Sequence, residues 1–415
     1  MTRRPPVPLA REPIDLSGSN SEQAGEHNRT LILRAIHRYA PISRADLARR
    51  TGLTKPGIAR IVDRLLDEGL IMEARRRKGL RGQPAIELEI DPEGCFSIGV
   101  DIDRDHLTIL AVDAVGHVRG RVHHEKRCIL PDEFVELTAE AISYLRRSHL
   151  IDDARLAGIG VAIPDWLGEL PFIGKPDDYS LWTGFDVRAA LSNLTTRPIF
   201  IDNESNASAM AELDYGLGAE SRSFFYIYIC ACTGGGLVLD GIRHRGAMGL
   251  SGEIGWLPVV DEQGPGRGKV QPLGEVFSLS FLYDYLGQHG LAVTKPHDLM
   301  NLDAHGRNLV SSWLKRMSKF IAEAVTHIGL VVDPDAVVVG GRLPVRMVDE
   351  LLRYVNERLD AADRNLPSIH RATTEDAAAL GAAAMSTAAR LMLSSVDPAQ
   401  RTRLPLQGIE RIASS

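Results

Sequence analysis

The chain has 415 residues, of which 44% are hydrophobic and 25% charged, and its formal net charge is −6. This composition is that of an ordinary globular protein and excludes the disordered, collagenous and coiled-coil classes. No apolar run approaches the roughly 20 residues that span a bilayer. The four cysteines are too few for a disulfide framework in a chain of this length. We therefore expect a cytoplasmic protein without a membrane partner.

The charge is divided unevenly along the chain. Residues 28–90 contain 14 Lys and Arg against 7 Asp and Glu, an excess of seven positive charges, so that the rest of the chain carries −13. A basic module on an acidic body indicates that the front of the chain meets a polyanion. Residues 1–27 lack apolar periodicity and are predicted to be a disordered arm, and residues 396–415 are assigned to a C-terminal tail.

Residues 28–92 carry the pattern of a winged helix-turn-helix domain. Apolar residues at helical spacing predict a first helix over 28–39. Ser43 is placed to cap a second helix and Gly52 to end it. Thr54 is placed to cap a third helix, whose apolar residues recur at offsets of three and four. Two helices joined by a tight glycine turn are typical of a unit that enters the major groove of DNA.

The outward side of the third helix is small and basic, which suits close approach to DNA. Strand-like residues 70–74 and 85–90 flank a basic turn and predict a hairpin wing, whose arginines would enter a minor groove or clamp phosphates. The alternative is a winged helix used for protein contacts, with its charges solvated. The predicted contacts to double-stranded DNA are Ser43, Thr54, Lys55, Gly57, Arg60, Arg76, Arg77, Arg81 and Gln83.

From residue 93 to 395, short apolar strands alternate with helices, which is typical of α/β layers with a cleft between two halves. A glycine-rich segment, residues 232–241, follows a predicted strand, and its glycines would let backbone N–H groups approach a phosphate. Three further motifs follow one another in this region: DNESNA at 202–207, GAMGLSGEIG at 246–255 and DPDAVVVGG at 333–341.

The order of these motifs, together with the winged helix, resembles the ROK family, named for repressors, open reading frames and sugar kinases. The resemblance implies an α/β protein in which residues 93–395 form an actin-like or ribonuclease-H-like, two-lobed ATPase fold for effector binding and oligomerisation. It also implies a DNA-binding transcriptional regulator, often a repressor of sugar genes, that acts as a homodimer or homotetramer.

Departures from the family pattern favour a sensor over a kinase. Kinases of the family have Asp-Ile-Gly-Gly-Thr beside the ATP phosphates, whereas residues 101–105 read Asp-Ile-Asp-Arg-Asp. Their catalytic aspartate is replaced by Glu204, whose longer side chain moves the carboxylate by about an ångström. We therefore predict no catalytic residues, no enzyme activity and no cofactor. The alternatives are a bifunctional sugar kinase that uses Glu204 as its base, and a scaffold that only oligomerises.

The zinc ligands of the family are also missing. Trp256 stands in the position of the histidine ligand, and residues 264–270 contain no cysteine, so we predict no metal site. Trp256 either stacks on an apolar sugar face or fills the space that histidine and zinc leave. With this tryptophan, the resemblance predicts a cleft for a sugar or a related small molecule, lined by Asn203, Glu204, Glu253, Trp256 and Glu275.

Overall fold

The computed structural model describes residues 21–74, 86–169, 175–247, 249–264, 266–360 and 366–391. The helices are α1 Ser21–Tyr39, α2 Arg44–Thr51, α3 Lys55–Asp67, α4 Pro131–Arg147, α5 Val187–Leu191, α6 Glu204–Tyr215, α7 Leu279–Gln288, α8 Pro296–Met300, α9 Ala304–Val331, α10 Val345–Asp360 and α11 Ala377–Arg390. Among these helices, none is both long enough and apolar enough to cross a membrane.

The strands belong to a small sheet in the N-terminal domain, two five-stranded sheets and one two-stranded ribbon. They are β1 Ile42–Ser43, β2 Ile71–Glu73, β3 Glu87–Ile90, β4 Phe96–Ile102, β5 Leu107–Asp113, β6 Val118–His124, β7 Leu156–Ala162, β8 Ile199–Asp202, β9 Phe224–Ile229, β10 Thr233–Leu239, β11 Ile242–His244, β12 Pro258–Val260, β13 Val270–Pro272, β14 Ala336–Gly341 and β15 Ser368–Arg371.

The helix-turn-helix forms from local signals at the predicted residues. The Ser43 hydroxyl accepts a hydrogen bond from the Asp46 N–H at 3.1 Å and caps α2. Gly52 ends α2 in the left-handed conformation, with φ of 71°. The Thr54 hydroxyl accepts a hydrogen bond from the Gly57 N–H at 3.4 Å and caps α3.

The first helix begins earlier than the sequence pattern predicts. It starts at Ser21, so residues 21–27 extend the helix into the segment assigned to a disordered arm. The apolar face of α1 begins only with Leu31, and apolar periodicity therefore gives no signal over these polar turns. In the wing, β3 pairs with both β1 and β2. The turn that carries Arg76, Arg77, Arg81 and Gln83 lies outside the described residues.

The two five-stranded sheets of the body have the same topology. The strand order is β6-β5-β4-β7-β8 in the first sheet, which we call lobe I, and β11-β10-β9-β14-β15 in the second, lobe II. In each lobe the first three strands are antiparallel neighbours, and the last two run parallel to the central strand. This repeat is the two-lobed, actin-like plan that the family resemblance implies.

Two helices cross between the lobes. Helix α6 follows the last strand of lobe I and packs on β9 and β10 of lobe II, whereas α11 follows the last strand of lobe II and packs on β4 and β7 of lobe I. The two helices touch backbone to backbone, since a Cβ atom at Gly381 would lie 1.7 Å from the Ala207 carbonyl oxygen. Leu391, directly after α11, is buried in the apolar core of the winged helix. The body and the N-terminal domain therefore share a core.

Most of the glycine-rich segment forms strand β10. Gly234, Gly235 and Gly236 lie in β10 and pair with β9, so their backbone belongs to the sheet. A Cβ atom at Gly236 would lie 2.8 Å from the Ser205 carbonyl oxygen in α6. The missing side chain thus allows α6 to approach the sheet.

Candidate functional site

The cleft between the lobes is lined by residues that follow the carboxyl ends of strands, where adjacent strands bring polar groups together. It has two ends. The turn end comprises the β4–β5 turn with its flanks, residues 101–107, together with Glu125 and Arg342. The helix end comprises Asp165, Trp166, Asn203, Glu204, Glu253 and Trp256.

At the turn end, buried ions pair with one another. His106 lies between two carboxylates, with Nε2 3.0 Å from Asp101 Oδ2 and Nδ1 2.7 Å from Asp105 Oδ1. Arg342, which follows β14, reaches Asp105 Oδ2 at 2.6 Å. Its other terminal nitrogen donates to both carboxylate oxygens of Glu125 at 2.8 Å. Since Arg342 belongs to lobe II and its partners to lobe I, these ion pairs join the lobes.

The charges at the turn end stabilise each other. Burial opposes the charge on His106, but Asp101 and Asp105 outweigh it and raise the pKa of His106 to about 10. Burial likewise disfavours the Asp105 carboxylate, yet His106 and Arg342 hold the pKa of Asp105 well below its usual range. Both groups are therefore ionised at neutral pH.

The same chemistry argues against a cation at the turn end. Asp103, Asp105 and His106 bring ligand atoms within 4.8 Å of one another. A protonated imidazole offers no lone pair to a metal ion, however, and Asp105 is already neutralised by Arg342. This donor set does not suit a metal.

The turn also occupies the place where the family pattern has glycines. Asp103 is 1% exposed, and the Arg104 guanidinium lies 3.2 Å from its carboxylate. The adjoining cavity measures about 90 Å³ and is lined by Arg104, Arg127 and Tyr283, among others.

At the helix end, a cap positions the carboxylates. Asn203 Oδ1 accepts a hydrogen bond from the Ser205 N–H at 2.9 Å, and Asn203 Nδ2 donates to Asp165 Oδ2 at 3.2 Å. Glu204 is the first residue of α6 and is 7% exposed. Its Oε2 is buried without a hydrogen-bond partner among the described residues. The cap thus brings two carboxylates to one side of the cleft.

The carboxyl groups at the helix end repel one another. Burial raises the pKa of Glu253 to about 7, and the charge of Asp165 adds to the effect. Burial also raises the pKa of Glu204 well above its usual value, and the charges of Asp103, Asp165 and Glu253 raise it further. The helix end therefore retains protons that ordinary carboxylates lose at neutral pH.

Two tryptophans border the helix end. The rings of Trp166 and Trp256 meet edge to face, with centroids 5.5 Å apart. Trp256 is 41% exposed, so it does not fill a buried space. Glu275 is exposed and lies in the 3-10 turn Leu273–Glu275, which packs beside the turn Ile254–Trp256. The five residues predicted to line a ligand site therefore lie on neighbouring elements.

Sequence reasoning missed Asp165, Trp166 and Arg342. Each lies just beyond a strand that the sequence does indicate, β7 or β14, and such positions are frequent ligand sites in α/β folds. Also missed was a second ion pair between the lobes, in which Arg243 and Arg245 bind the buried Asp202.

The predicted DNA contacts in the described part of the chain cluster around the start of α3. Lys55 and Arg60 are exposed and have no ion-pair partner among the described residues. By contrast, Arg64 on the same helix binds Glu68 at 2.9 Å. Ser43 is only 8% exposed, and its hydroxyl donates to Asp46 Oδ2 at 2.7 Å. The structure thus gives Ser43 a role as a cap.

Fold and cleft together define a two-lobed, actin-like α/β protein with a winged helix at its N-terminal side. Residues 97–389 match the profile of the ROK family and residues 27–81 that of the MarR family. The chain belongs to the ROK family.

Relatives with this fold include both repressors and kinases. The xylose repressor of Bacillus spizizenii is 27% identical over 57% of this chain, which spans 62% of that protein's length. A ROK family transcriptional regulator described as a homolog of the Escherichia coli MLC protein has a TM-score of 0.63 at 20% identity, covering 89% of this chain and 97% of its own. A ROK family glucokinase from Streptomyces griseus, solved with glucose and AMPPNP, has a TM-score of 0.54 at 19% identity, covering 70% and 98%. Both solved structures support the fold.

Proposed function

We propose that this protein is a cytoplasmic, DNA-binding transcriptional repressor whose kinase-like body senses a sugar or related small molecule without phosphorylating it. The observation that carries the proposal is the contrast within the cleft. At the turn end the buried aspartates lie beside His106, Arg104 or Arg342, whereas at the helix end Glu204 and Glu253 have no ion-pair partner among the described residues. One half of a kinase site is thus blocked and the other half remains suited to a ligand.

The turn end opposes phosphoryl transfer on electrostatic grounds. Kinases stabilise the charge of the transferred phosphoryl group with cations and close backbone N–H groups. Here the buried carboxylates of Asp103 and Asp105, which the kinase pattern lacks, would face that charge. Glu204 also stands where the family has its catalytic aspartate, and its longer side chain moves the carboxylate by about an ångström.

The N-terminal domain supports DNA binding through its geometry and charge. An exposed cationic face on a capped second helix of a helix-turn-helix fits a major groove. We propose that Thr54, Lys55, Gly57 and Arg60 contact DNA from α3, that Ser43 positions this unit, and that wing residues 76–83 contact the backbone. A homodimer or homotetramer would present its winged helices to half-sites one helical turn apart, or a multiple of it.

The packing of α6 against α11 connects the cleft to the winged helix. Glu204 begins α6, α6 touches α11 at Gly381, and Leu391 after α11 lies in the core of the winged helix. A ligand bound at Asn203, Glu204, Glu253, Trp256 and Glu275 would shift α6 and thereby change how the winged helices are presented. This is a coupling between two sites through one contiguous chain of packed elements.

Duplexes selected from a random pool test the proposed reader. Arg60→Ala is expected to cost about 1–3 kcal/mol on the selected sequence and little on random DNA, measured by fluorescence anisotropy. Arg64→Ala is the matched control, because Arg64 is engaged by Glu68.

Replacing Arg76, Arg77 or Arg81 should lower the slope of binding affinity against salt concentration by about one unit for each phosphate that the variant no longer neutralises. Failure to select any duplex at moderate ionic strength contradicts the proposal.

The kinase alternative and the scaffold alternative need separate tests. Incubation with magnesium, ATP and a panel of sugars should give no phosphorylated product, and turnover at about 1–100 per second would establish a kinase.

A body that only oligomerises would show no ligand-induced rise in melting temperature with any carbohydrate tried.

A further inference from the structure

We infer that the effector of this protein carries a positive charge: a sugar or polyol with a free amino group, whose ammonium faces Asp165, Glu204 and Glu253 at the helix end of the cleft. The inference rests on the proposed function and names the ligand class for the same site.

The first support is the excess of negative charge at the helix end. Asp165 and Glu253 act electrostatically on each other and on Glu204, so the three carboxyl groups lie together. The cap places Asp165 and Glu204 side by side, because Asn203 precedes Glu204 and binds Asp165 at 3.2 Å. Fully ionised, these three groups contribute three negative charges.

The arginines on the neighbouring elements have partners of their own. Arg243 and Arg245 both bind Asp202, and Arg104 lies 3.2 Å from the Asp103 carboxylate. Among the described residues, no ion pair joins Glu204 or Glu253 to a cation.

The second support is the buried acceptor that lacks a donor. Glu204 is 7% exposed, and its Oε2 has no hydrogen-bond partner among the described residues. Ionising a buried carboxyl group that has no partner is costly, so Glu204 retains its proton in the free protein. An ammonium group supplies both three N–H donors and the charge that compensates the carboxylate. A neutral hydroxyl supplies one donor and leaves the repulsion between carboxylates in place.

The third support is that each lobe contributes the same pair of groups. Lobe I supplies Asp165 and Trp166, and the insertion that follows β11 of lobe II supplies Glu253 and Trp256. The two indoles meet at 5.5 Å, so the two carboxylates lie on segments that are in contact. Carboxylates next to an exposed indole suit a cation, because the ring face attracts positive charge. A ligand held in this way would bridge the lobes.

Binding of an ammonium should also release protons. In the free protein the pKa of Glu253 is raised to about 7, mainly by burial, and that of Glu204 is raised further. A bound cation favours the ionised form of both groups and lowers these values. Affinity for an amino sugar should therefore rise between about pH 6 and about pH 7, a window that lies below the pKa of the sugar's amino group.

Calorimetry on the full chain tests the inference. The probes are hexoses, the same hexoses with a free amino group at carbon 2, 3 or 6, and their N-acetylated forms. We expect at least one free amino sugar to bind tenfold or more tightly than its parent and its N-acetyl form. Its binding enthalpy should depend on the ionisation enthalpy of the buffer at pH 7, which reports proton release by the unmodified protein.

Variants sharpen the result. Glu253→Gln and Asp165→Asn should reduce the preference for the amine over its parent sugar about tenfold, whether or not the affinity for the parent sugar also falls. Glu262→Gln, at an exposed position, is the control and should change neither. If parent sugars bind as tightly as amines, or if no protons are released, the inference is wrong while the proposed function stands. If no carbohydrate of any kind binds, both are wrong.

Discussion

Both ends of the cleft contain buried carboxyl groups, but the charged groups around them have opposite signs. At the turn end, His106 and Arg342 hold the pKa of Asp105 below its usual range. At the helix end, burial and neighbouring acids raise the pKa of Glu253 to about 7. A buried carboxylate with a cationic partner can remain ionised, whereas a carboxyl group among other acids takes up a proton unless a cation binds beside it.

If the protein is the sensor proposed above, this difference explains how one fold serves both a kinase and a sensor. The fold itself is shared with a glucokinase solved with glucose and AMPPNP. What changes is a turn of a few residues, in which Asp103 and Arg104 stand where the family pattern has glycines. A small local substitution thus closes one end while the other keeps its acceptors.

Breaking the ion pairs of the turn end should have the largest effect. Arg342→Ala leaves Asp105 and Glu125 without their shared cation, and a buried charge that loses its partner costs about 3–5 kcal/mol of unfolding free energy. Denaturation with urea measures it.

Arg371→Ala is the matched control for this variant. It breaks an exposed ion pair with Asp349 and should cost about 0–1 kcal/mol. Equal losses in the two variants would mean that the turn end is not held closed by its charges.

A smaller effect is expected at the contact between α6 and α11, which links the helix end of the cleft to the winged helix. Gly381→Ala places a Cβ atom where the Ala207 carbonyl oxygen already lies, so α11 must move away from α6. Overpacking of this kind costs roughly 1–3 kcal/mol, and ligand-induced changes in DNA affinity should weaken as well.

The control for this helix contact is Gly287→Ala in α7. A Cβ atom at Gly287 would meet nothing within 4 Å, and alanine there should stabilise the helix by up to about 1 kcal/mol. Thermal unfolding with and without ligand compares the two variants. If Gly381→Ala responds to ligand as the native chain does, the contact between α6 and α11 does not carry the coupling.

The pH dependence of stability should separate the two ends most finely. Glu253 has a folded-state pKa of about 7 against 4.5 for the free side chain, so the folded protein binds more protons than the unfolded one between these values. Its contribution to stability is therefore lost as the pH rises from about 4.5 to about 7. The free energy of unfolding of Glu253→Gln, relative to that of the native chain, should increase across this window and stay constant above about pH 7. A difference that does not vary with pH would show that Glu253 titrates normally.

The sequence by itself determined the elements that depend on neighbouring residues. Ser43, Gly52 and Thr54 cap or end their helices because such signals act over three or four residues, and the structure confirms all three. The order of the motifs identified the family and hence the repeated sheets. The predicted start of α1 was wrong, because its polar turns carry no periodicity. In the glycine-rich segment 232–241, Thr233–Leu239 form β10, and phosphate binding there stays a prediction.

Only the tertiary structure decided which charges meet. Arg342 binds Glu125 from 217 positions away, and no spacing in the chain indicates that pair. Asp165 and Glu253 likewise come together only because the two lobes face each other. Local signals survive in the sequence because they depend on a few adjacent residues. The pairing of buried charges depends on how lobes, turns and crossing helices pack, and it is this pairing that separates the turn end of the cleft from the end proposed to bind a ligand.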